Sequence, residues 1–328
     1  NSTGMCKDLM INTPSFWKKK NLFSFLLSPL SIIYLLGLKI YEFFSDEVNV
    51  GVPIICVGNL VTGGSGKTPV TIELRKLLNK KHSKIFVLTR GYKGDLKGPM
   101  IVSKKSSYRD VSDEAIIHAK NGLTCMSKNK KLGAYLCKKK GADLILMDDG
   151  LQSKDIKKNF KILVVDANFG FGNKYVLPAG PLRQTINSAI YKCDVILIIK
   201  DENKVDVLET NRHKNIFYAE KIIKLKKLKN KKIFVFSGLG NNDNKLKKLE
   251  VNIRIIKKFP DHHKYSYKEI SDIVRVAKEK KLSVVCTEKD YVKIPQKFKK
   301  YINVAYLEIK IFSPHKLIKL INNKLIKI

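Results

Sequence analysis

IICVGNLVTGGSGKTPVTIELRKLL, residues 54–78, joins an apolar strand, a glycine-rich turn and a helix with apolar side chains at helical spacing. This arrangement is typical of a P-loop, in which backbone N–H groups and the positive end of the helix surround phosphate oxygens. Val61 occupies the position of the first glycine in the strict pattern, so the first turn of this loop must differ from the common form. The residues predicted to line the phosphates are Thr62, Gly63, Gly64, Ser65, Gly66, Lys67 and Thr68.

The Lys-Thr pair at the start of the helix predicts the chemistry of this loop. Lys67 would reach the β- and γ-phosphates of a nucleotide, and the hydroxyl of Thr68 would bind Mg²⁺. A glycine-rich turn that only joins a strand to a helix is the alternative. Strand, loop, Lys-Thr pair and helix occur here in the order that phosphate binding requires, which favours a nucleotide site.

Further strands are predicted where short apolar runs alternate with helices. They lie at residues 85–89, 144–147, 162–165 and 195–199, and a helix is predicted at residues 113–120. Short continuous apolar runs indicate strands buried on both faces of a parallel sheet. The sequence therefore predicts an α/β fold with a P-loop NTPase-like parallel sheet and helices on both faces.

A second, smaller α/β unit is predicted from residue 216 onward. Its strands are expected at residues 233–236, 253–259 and 284–286, and its helices at residues 267–280 and 315–326. Residues 217–225 and 304–311 are predicted to pair as a two-stranded ribbon that serves as a hinge. The expected organisation is an N-terminal segment (1–50), a P-loop domain (51–215) and a C-terminal domain (216–328).

The N-terminal segment contains an uncharged apolar stretch at residues 22–38. Ser28 and Pro29 resemble the start of a helix, which is predicted to run to about Phe44 with apolar side chains on nearly all sides. Three lysines at residues 18–20 precede it, which favours docking on an anionic membrane surface. A buried core helix and a membrane span are the alternatives.

Charge and cysteine content limit the possible partners. Lysine and arginine outnumber aspartate and glutamate by 64 to 29, giving a net charge of +35 over 328 residues. This excess indicates anionic partners, or equally a compositional bias, because the lysines are spread along the chain. The six cysteines form no CxxC pair, and Cys56, Cys193 and Cys286 lie in or beside apolar strands, which predicts buried thiols in the cytosol.

The ends of the predicted strands carry further candidate residues, because ligands of parallel sheets bind beyond the carboxyl ends of strands. Arg90 begins a basic, glycine-containing loop that could bind a phosphate. Asp148 and Asp149 follow four apolar residues, as in a Walker B motif that completes a Mg²⁺ shell. Arg183 ends a proline-rich loop. Asp113 starts a helix, where it is either a first-turn acid that favours the helix dipole or a base near the γ-phosphate.

Eight ordered motifs resemble those of one enzyme family. They are GNLVTGGSGKTP, LTRGYKG, SDEA, DDGLQ, LPAGPLR, VFSGLGN, FPDHHKYS and TEKDYVKI, and they extend over nearly the whole chain. Together they resemble the tetraacyldisaccharide 4′-kinases, the lipid A 4′-kinases of Gram-negative bacteria. The LLSPLSIIY helix is also similar to the membrane-docking segment of that family. The resemblance implies a two-domain α/β kinase on the cytoplasmic face of the inner membrane.

The resemblance also implies roles for individual residues. Asp113 matches the catalytic base of the family, and Asp148 and Asp149 match its metal-associated pair. His262 or His263 would orient or relay that base from the second domain, across the cleft.

Three further residues are expected to contact substrate, and two positions depart from the family pattern. The substrate candidates are Arg90, Gln152 and Arg183. The family usually has His after DDGLQ and Glu after PLR, whereas this chain has Ser153 and Gln184. These departures affect the expected details of substrate or metal contact and leave the reaction class unchanged.

The expected reaction is transfer of the ATP γ-phosphate to the 4′-hydroxyl of a tetraacylated disaccharide 1-phosphate, with Mg²⁺. The expected partners are ATP, this lipid and an anionic membrane surface, and the chain is expected to be a monomer. A basic P-loop ATPase acting on nucleic acid would need clustered cationic and aromatic residues. The sequence lacks them, so no nucleic-acid partner is expected. A membrane-bound nucleotide switch would leave the Asp-His-His loop at residues 261–263 without a role.

Overall fold

The computed structural model describes residues 14–63, 66–200, 210, 213–226, 228, 230–238, 251–260 and 263–326. Its strands form one twelve-stranded sheet with the order β10-β9-β11-β12-β8-β7-β6-β1-β5-β2-β4-β3. The strands are β1 (Ile54–Gly58), β2 (Ile85–Thr89), β3 (Met100–Ile101), β4 (Thr124–Met126), β5 (Leu144–Asp148), β6 (Phe160–Asp166), β7 (Val195–Lys200), β8 (Ile216–Leu225), β9 (Lys232–Ser237), β10 (Asn252–Lys258), β11 (Ser283–Thr287) and β12 (Ile302–Ile311).

The P-loop strand β1 lies between β5 and β6 and pairs in parallel with both. Two strand pairs are antiparallel, β12 with β8 and β3 with β4. Every residue of β1, β2 and β5 is buried, because these strands are covered on both faces. The predicted α/β class with a largely parallel sheet is therefore confirmed.

Helices cover both faces of the sheet. They are α1 (Leu22–Leu26), α2 (Ser28–Phe43), α3 (Lys67–Leu78), α4 (Tyr108–Val111), α5 (Asp113–Asn121), α6 (Lys130–Lys139), α7 (Ile186–Lys192), α8 (Tyr267–Glu279), α9 (Glu288–Tyr291) and α10 (Pro314–Leu325). Ile55 and Val57 of β1 share a core with α3 and α10. Ile54 and Cys56 point the opposite way and pack with α6, as the period of two in a strand requires.

The sheet continues across residue 216, where the sequence predicts a domain boundary. The predicted ribbon corresponds to the antiparallel pair of β8 and β12, with Ala305 opposite Leu225 and Ile311 opposite Ala219. Each ribbon strand also pairs with a neighbour on its other side, β8 with β7 and β12 with β11. The two strands of the predicted ribbon are therefore interior strands of one continuous sheet.

The N-terminal helices lie against the loop at residues 177–183. Trp17 Nε1 donates to the carbonyl of Pro178 at 3.1 Å, and Tyr34 OH donates to the carbonyl of Arg183 at 3.1 Å. The helix predicted at residues 29–44 corresponds closely to α2. Within the described residues, no helix has both the length and the apolarity that a bilayer crossing requires.

Candidate active site

The P-loop follows β1 and is held by the loop at residues 177–183. Gly63 has a φ of +113° and Gly66 a φ of +79°, conformations that favour glycine. Val61, at the unusual position of the motif, is buried and bridges to Leu182, and Thr62 N donates to the carbonyl of Pro181 at 2.9 Å. The first turn therefore relies on packing where the common form relies on glycine. Gly64 and Ser65 lie outside the described residues.

Lys67 is the first residue of α3, and its ammonium is directed at two polar groups beyond β1. Its Nζ donates to Asn59 Oδ1 at 3.0 Å and lies 3.7 Å from Asp149 Oδ2. The side chain is largely buried. Lys67 is thus in one cluster with Asp149, one of the two acids predicted to bind the metal.

Asp148 ends β5 and is buried at the centre of this cluster. Its Oδ2 accepts hydrogen bonds from Thr68 Oγ1 at 3.2 Å and from His118 Nε2 at 2.7 Å. Burial raises the pKa of this carboxyl, but the hydrogen bond and charge of His118, together with Lys67 and Lys130, outweigh burial and lower the pKa below its ordinary value. Asp148 is therefore held ionised, as a metal-binding carboxylate must be.

Lys130 is a buried cation that donates hydrogen bonds to the backbone near the ends of β2 and β5. Its Nζ donates to the carbonyl of Asp148 at 3.1 Å and to the carbonyl of Leu88 at 3.4 Å. Burial lowers the pKa of this ammonium, and the charge of Arg90 lowers it further, whereas Asp148 and Asp149 raise it. Arg90 itself is exposed at the end of β2.

Asp149 connects the Walker-B-like strand to two of the three predicted substrate residues, Gln152 and Arg183. It adopts a φ of +57°, in the left-handed region that non-glycine residues rarely occupy. Arg183 Nη1 donates to Asp149 Oδ1 at 2.9 Å and to Gln152 Oε1 at 3.3 Å. Gln152 Nε2 in turn donates to the carbonyl of Asn59 at 3.1 Å, which returns the network to the strand before the P-loop.

Asp113 is buried at the start of α5, and its backbone approach is strained. Ser112, which precedes it, has a φ of +84°, and such a conformation costs a non-glycine residue about 1–3 kcal/mol. Asp113 Oδ1 accepts from Glu114 N at 2.8 Å, and Lys293 Nζ lies 3.9 Å from Asp113 Oδ2. The cation beside the predicted base therefore comes from the C-terminal unit.

Lys293 belongs to a buried cluster centred on Asp290. It lies 3.3 Å from Asp290 Oδ1. Asp290 also accepts from Tyr265 OH at 2.8 Å, Thr287 Oγ1 at 2.7 Å and Gly238 N at 3.2 Å. Burial raises the pKa of Tyr265, and the charge of Asp290 raises it further, so the phenol remains a donor. The TEKDYVKI motif thus forms a buried cluster that holds Lys293 next to Asp113.

Of the two predicted histidines, the structure describes His263. Its Nε2 lies 3.1 Å from Glu269 Oε1, and its ring stacks on Phe259 with a centroid separation of 4.8 Å. His262 lies outside the described residues.

One connected network therefore contains six of the predicted site residues: Lys67, Thr68, Asp148, Asp149, Gln152 and Arg183. Asp113 joins it through α5, because His118 of the same helix binds Asp148. Sequence reasoning missed Asn59, His118, Lys130 and Lys293. Asn59 and Lys293 lie inside quoted motifs, which is the signal that could have identified them.

Asp148, Asp149 and the hydroxyl of Thr68 offer the kind of oxygen ligands that a divalent cation prefers. Within the described residues, no three His, Cys, Asp or Glu side chains converge as a metal cage. Mg²⁺ in nucleotide sites usually takes one or two carboxylates, with phosphates and waters completing its shell. Asp148 Oδ1 is buried and has no hydrogen-bond partner among the described residues, so one carboxylate oxygen remains for such a cation.

A family model and three relatives from different species point to one enzyme family. The family model described as tetraacyldisaccharide-1-P 4′-kinase matches residues 23–326. The tetraacyldisaccharide 4′-kinase of Rickettsia canadensis is 35% identical over 285 residues, covering 85% of this chain and 87% of the relative. That of Rickettsia conorii is 32% identical over 318 residues, with coverages of 96% and 98%. That of Paramagnetospirillum magneticum is 33% identical over 292 residues, with coverages of 87% and 90%.

A solved structure has the same fold. The crystal structure of LpxK from Aquifex aeolicus in complex with ATP matches with a TM-score of 0.77 and 26% sequence identity, covering 92% of this chain and 99% of that one. The family expected from the eight motifs is thereby confirmed. With a family model that extends over nearly the whole sequence and relatives matched along most of their own length, this chain belongs to the tetraacyldisaccharide-1-phosphate 4′-kinase family.

Proposed function

We propose that this protein transfers the γ-phosphate of ATP to the 4′-hydroxyl of tetraacyldisaccharide 1-phosphate, a step of lipid A biosynthesis. The observation that carries the proposal is the network joining Lys67 of the P-loop, the Asp148–Asp149 pair and Arg183. The relatives named as tetraacyldisaccharide 4′-kinases support the lipid substrate. The LpxK structure in complex with ATP supports the phosphate donor.

Positioning and charge stabilisation supply most of the catalysis. Phosphoryl transfer passes through a loose transition state whose charge is spread over the phosphoryl oxygens. Lys67 and the N–H groups at the start of α3 would bind these oxygens. Arg183, held by Asp149 and Gln152, is available as a second cation for a phosphate of either substrate.

Asp113 is the proposed base for the sugar hydroxyl. It is buried, and the ammonium of Lys293 lies 3.9 Å from its Oδ2, so a cation faces the proposed base. One of the two histidines of the FPDHHKYS motif, His262 or His263, would orient or relay this base. His263 is engaged with Glu269, and that contact would have to change for His263 to serve.

Thr68, Asp148 and Asp149 are the residues proposed to hold Mg²⁺. The chemistry that the cation would supply when bound is positive charge, which would stabilise the negative charge of the phosphoryl group during transfer. The unpartnered Oδ1 of Asp148 and the hydroxyl of Thr68 fit the oxygen ligands that Mg²⁺ prefers.

The apolar surface of α1 and α2 is the proposed membrane contact. Phe23, Leu26, Ile33 and Phe43 are each more than 60% exposed, which is unusual for large apolar side chains on one continuous segment. Lysines at residues 18–20 precede it. The acyl chains would remain in the bilayer while the sugar enters the site, which supports a location at the cytoplasmic face of the inner membrane. The proposed oligomeric state is a monomer.

Lys67→Ala tests the kinase assignment. We expect kcat for transfer from radiolabelled ATP to the lipid to fall by about three powers of ten, because a cation at the transferring phosphoryl group is lost. The matched control is Lys76→Ala on the same helix, whose exposed side chain pairs with Glu73 and should leave kcat unchanged. A folded Lys67→Ala protein with near-normal transfer would contradict the P-loop assignment.

Phe23→Asp combined with Phe43→Asp tests the membrane contact. We expect the double variant to lose sedimentation with vesicles of phosphatidylglycerol and phosphatidylethanolamine, because two charges would enter the apolar contact. ATP binding should be retained. Leu132→Asp, at an exposed apolar position of α6, is the control. Equal sedimentation of the double variant and the control would assign membrane binding to another surface.

A further inference from the structure

His118 is a buried histidine that the mechanism above does not use. It is fully buried in α5, and its Nε2 lies 2.7 Å from Asp148 Oδ2. Its Nδ1 has no hydrogen-bond partner among the described residues. Because a carboxylate accepts hydrogen bonds and cannot donate them, the geometry requires the proton on Nε2.

The contacts of Asp148 are unevenly divided between its two oxygens. Oδ2 accepts from both Thr68 and His118, whereas Oδ1 is buried without a partner in the described part of the chain. A buried carboxylate oxygen without a partner costs free energy unless a ligand completes its coordination. If the carboxylate rotated so that its two oxygens shared these hydrogen bonds, the short bond to His118 would break. The histidine therefore fixes which oxygen remains available.

We propose that His118 is a positioning residue for the divalent cation that accompanies the nucleotide. By holding Oδ2, it orients the Asp148 carboxylate so that Oδ1 faces the position of the cation. The inference rests on the proposed Mg²⁺-dependent function. Groups that orient a metal ligand from behind typically contribute 10–100-fold to metal affinity, which is roughly the effect expected here.

The same contact also fixes the helix that carries the proposed base. Asp113 is the first residue of α5, and His118 lies about 7.5 Å further along its axis, at 1.5 Å per residue. Anchoring His118 on Asp148 therefore sets the distance between the base and the cation position. Lys130, which donates to the carbonyl of Asp148, fixes the backbone of that carboxylate.

Two substitutions separate the hydrogen bond from the packing. His118→Leu fills the space without a donor, and His118→Gln places an amide N–H near the position of Nε2. Mn²⁺ is the probe, titrated into protein with a non-hydrolysable ATP analogue and no lipid, with free Mn²⁺ followed by electron paramagnetic resonance. We expect His118→Leu to bind Mn²⁺ about 10–100-fold more weakly and His118→Gln to recover most of this loss. Binding of the analogue in EDTA should change less than about twofold in both variants, since the phosphates are held by the P-loop.

Three results would overturn the inference. One is a folded His118→Leu protein, judged by circular dichroism and thermal unfolding, that binds Mn²⁺ as tightly as the original chain. Another is a folded His118→Gln protein that is as weak as His118→Leu. The third needs no variant: ¹⁵N spectra of histidine-labelled protein that show a proton on Nδ1 of His118 and none on Nε2 would remove the donor. Failure of the proposed kinase function would appear differently, as an unaltered chain that binds Mn²⁺ and nucleotide without phosphorylating the lipid.

Discussion

Replacement of Lys293 by Met probes the buried charge cluster behind Asp113. The Lys293 ammonium lies 3.9 Å from Asp113 Oδ2 and 3.3 Å from Asp290 Oδ1, and the three side chains are at most 4% exposed. Met retains the length and the apolar stem of lysine. The substitution therefore removes the charge that faces both carboxylates and changes the packing little.

The expected magnitude follows from these distances. With an effective dielectric constant of about 20, the ammonium attracts the carboxylate of Asp113 by about 4 kcal/mol and that of Asp290 by about 5 kcal/mol. Removal of the lysine also removes its own desolvation cost, which offsets part of this attraction. Loss of one partner of a buried ion pair costs roughly 3–5 kcal/mol overall, and we expect about 4 kcal/mol here. This is a large share of the roughly 5–15 kcal/mol that stabilises a typical domain.

Urea unfolding followed by circular dichroism measures the loss, and transfer of phosphate to the lipid measures its effect on catalysis. We expect kcat to fall while the KM for ATP is unchanged, because Lys293 acts on the base and not on the P-loop. Lys289→Met is the matched control, since Lys289 pairs with Glu114 at 2.6 Å but both side chains are about a quarter exposed. Its cost should stay below about 1 kcal/mol. Equal costs for the two variants would refute the reasoning.

Two further predictions concern backbone packing and pH. In Gly94→Ala, the new Cβ would lie 2.7 Å from the carbonyl oxygen of Asp110 and 2.9 Å from Ser112 N. We therefore expect the unfolding free energy, measured in urea, to fall by about 1–3 kcal/mol. We also expect a lower kcat, because the clash would displace Asp113. Gly37→Ala, in open space on α2, is the control and should be neutral or stabilising; equal stability of the two variants would contradict the prediction. Burial raises the pKa of the Glu288 carboxyl, so its pKa in the folded chain exceeds its pKa in the unfolded chain. The contribution of this carboxyl to the unfolding free energy is therefore fully present below the unfolded pKa and is lost as pH rises through the folded pKa. Glu288→Gln should therefore gain stability relative to the original chain as pH rises above about 4, since an unperturbed Glu titrates near 4.3. A difference in unfolding free energy that is independent of pH would show that Glu288 is not desolvated.

The strands and the P-loop could be predicted from sequence because their signals are local. The apolar runs of β1, β2, β5 and β7 are continuous and bounded by polar residues, and each lies where it was predicted. The helix α6 was missed because its buried face consists of small residues, Gly133, Ala134 and Cys137, among lysines. The strands β3 and β4 have two and three residues, too few for a periodic pattern.

The strand order and the supports of the site could not be predicted, because both depend on contacts between distant segments. No local pattern indicates that β12 lies between β8 and β11, so the sequence predicted a separate hinge ribbon. His118 and Lys130 resemble ordinary surface residues in sequence, and their burial follows from the approach of α5 and α6 to the end of β5. Residues predicted to contact phosphate can be identified from a motif, whereas the residues that hold them in place are identified only from contacts in the folded structure.

The position of α10 has a consequence for how the chain folds during synthesis. Leu317 and Ile321 of this helix share a core with Val70 and Leu74 of the P-loop helix, and β12 pairs with β8 across the intervening residues 226–301. The core around the P-loop helix therefore lacks the side chains of α10 until the ribosome has synthesised residues 314–325. Contacts between segments so far apart in the sequence form slowly, and the apolar side chains of the unfinished core are exposed to solvent until they form. We expect chains that end before residue 302 to depend on chaperones and to be degraded, even though they contain every residue of the P-loop network.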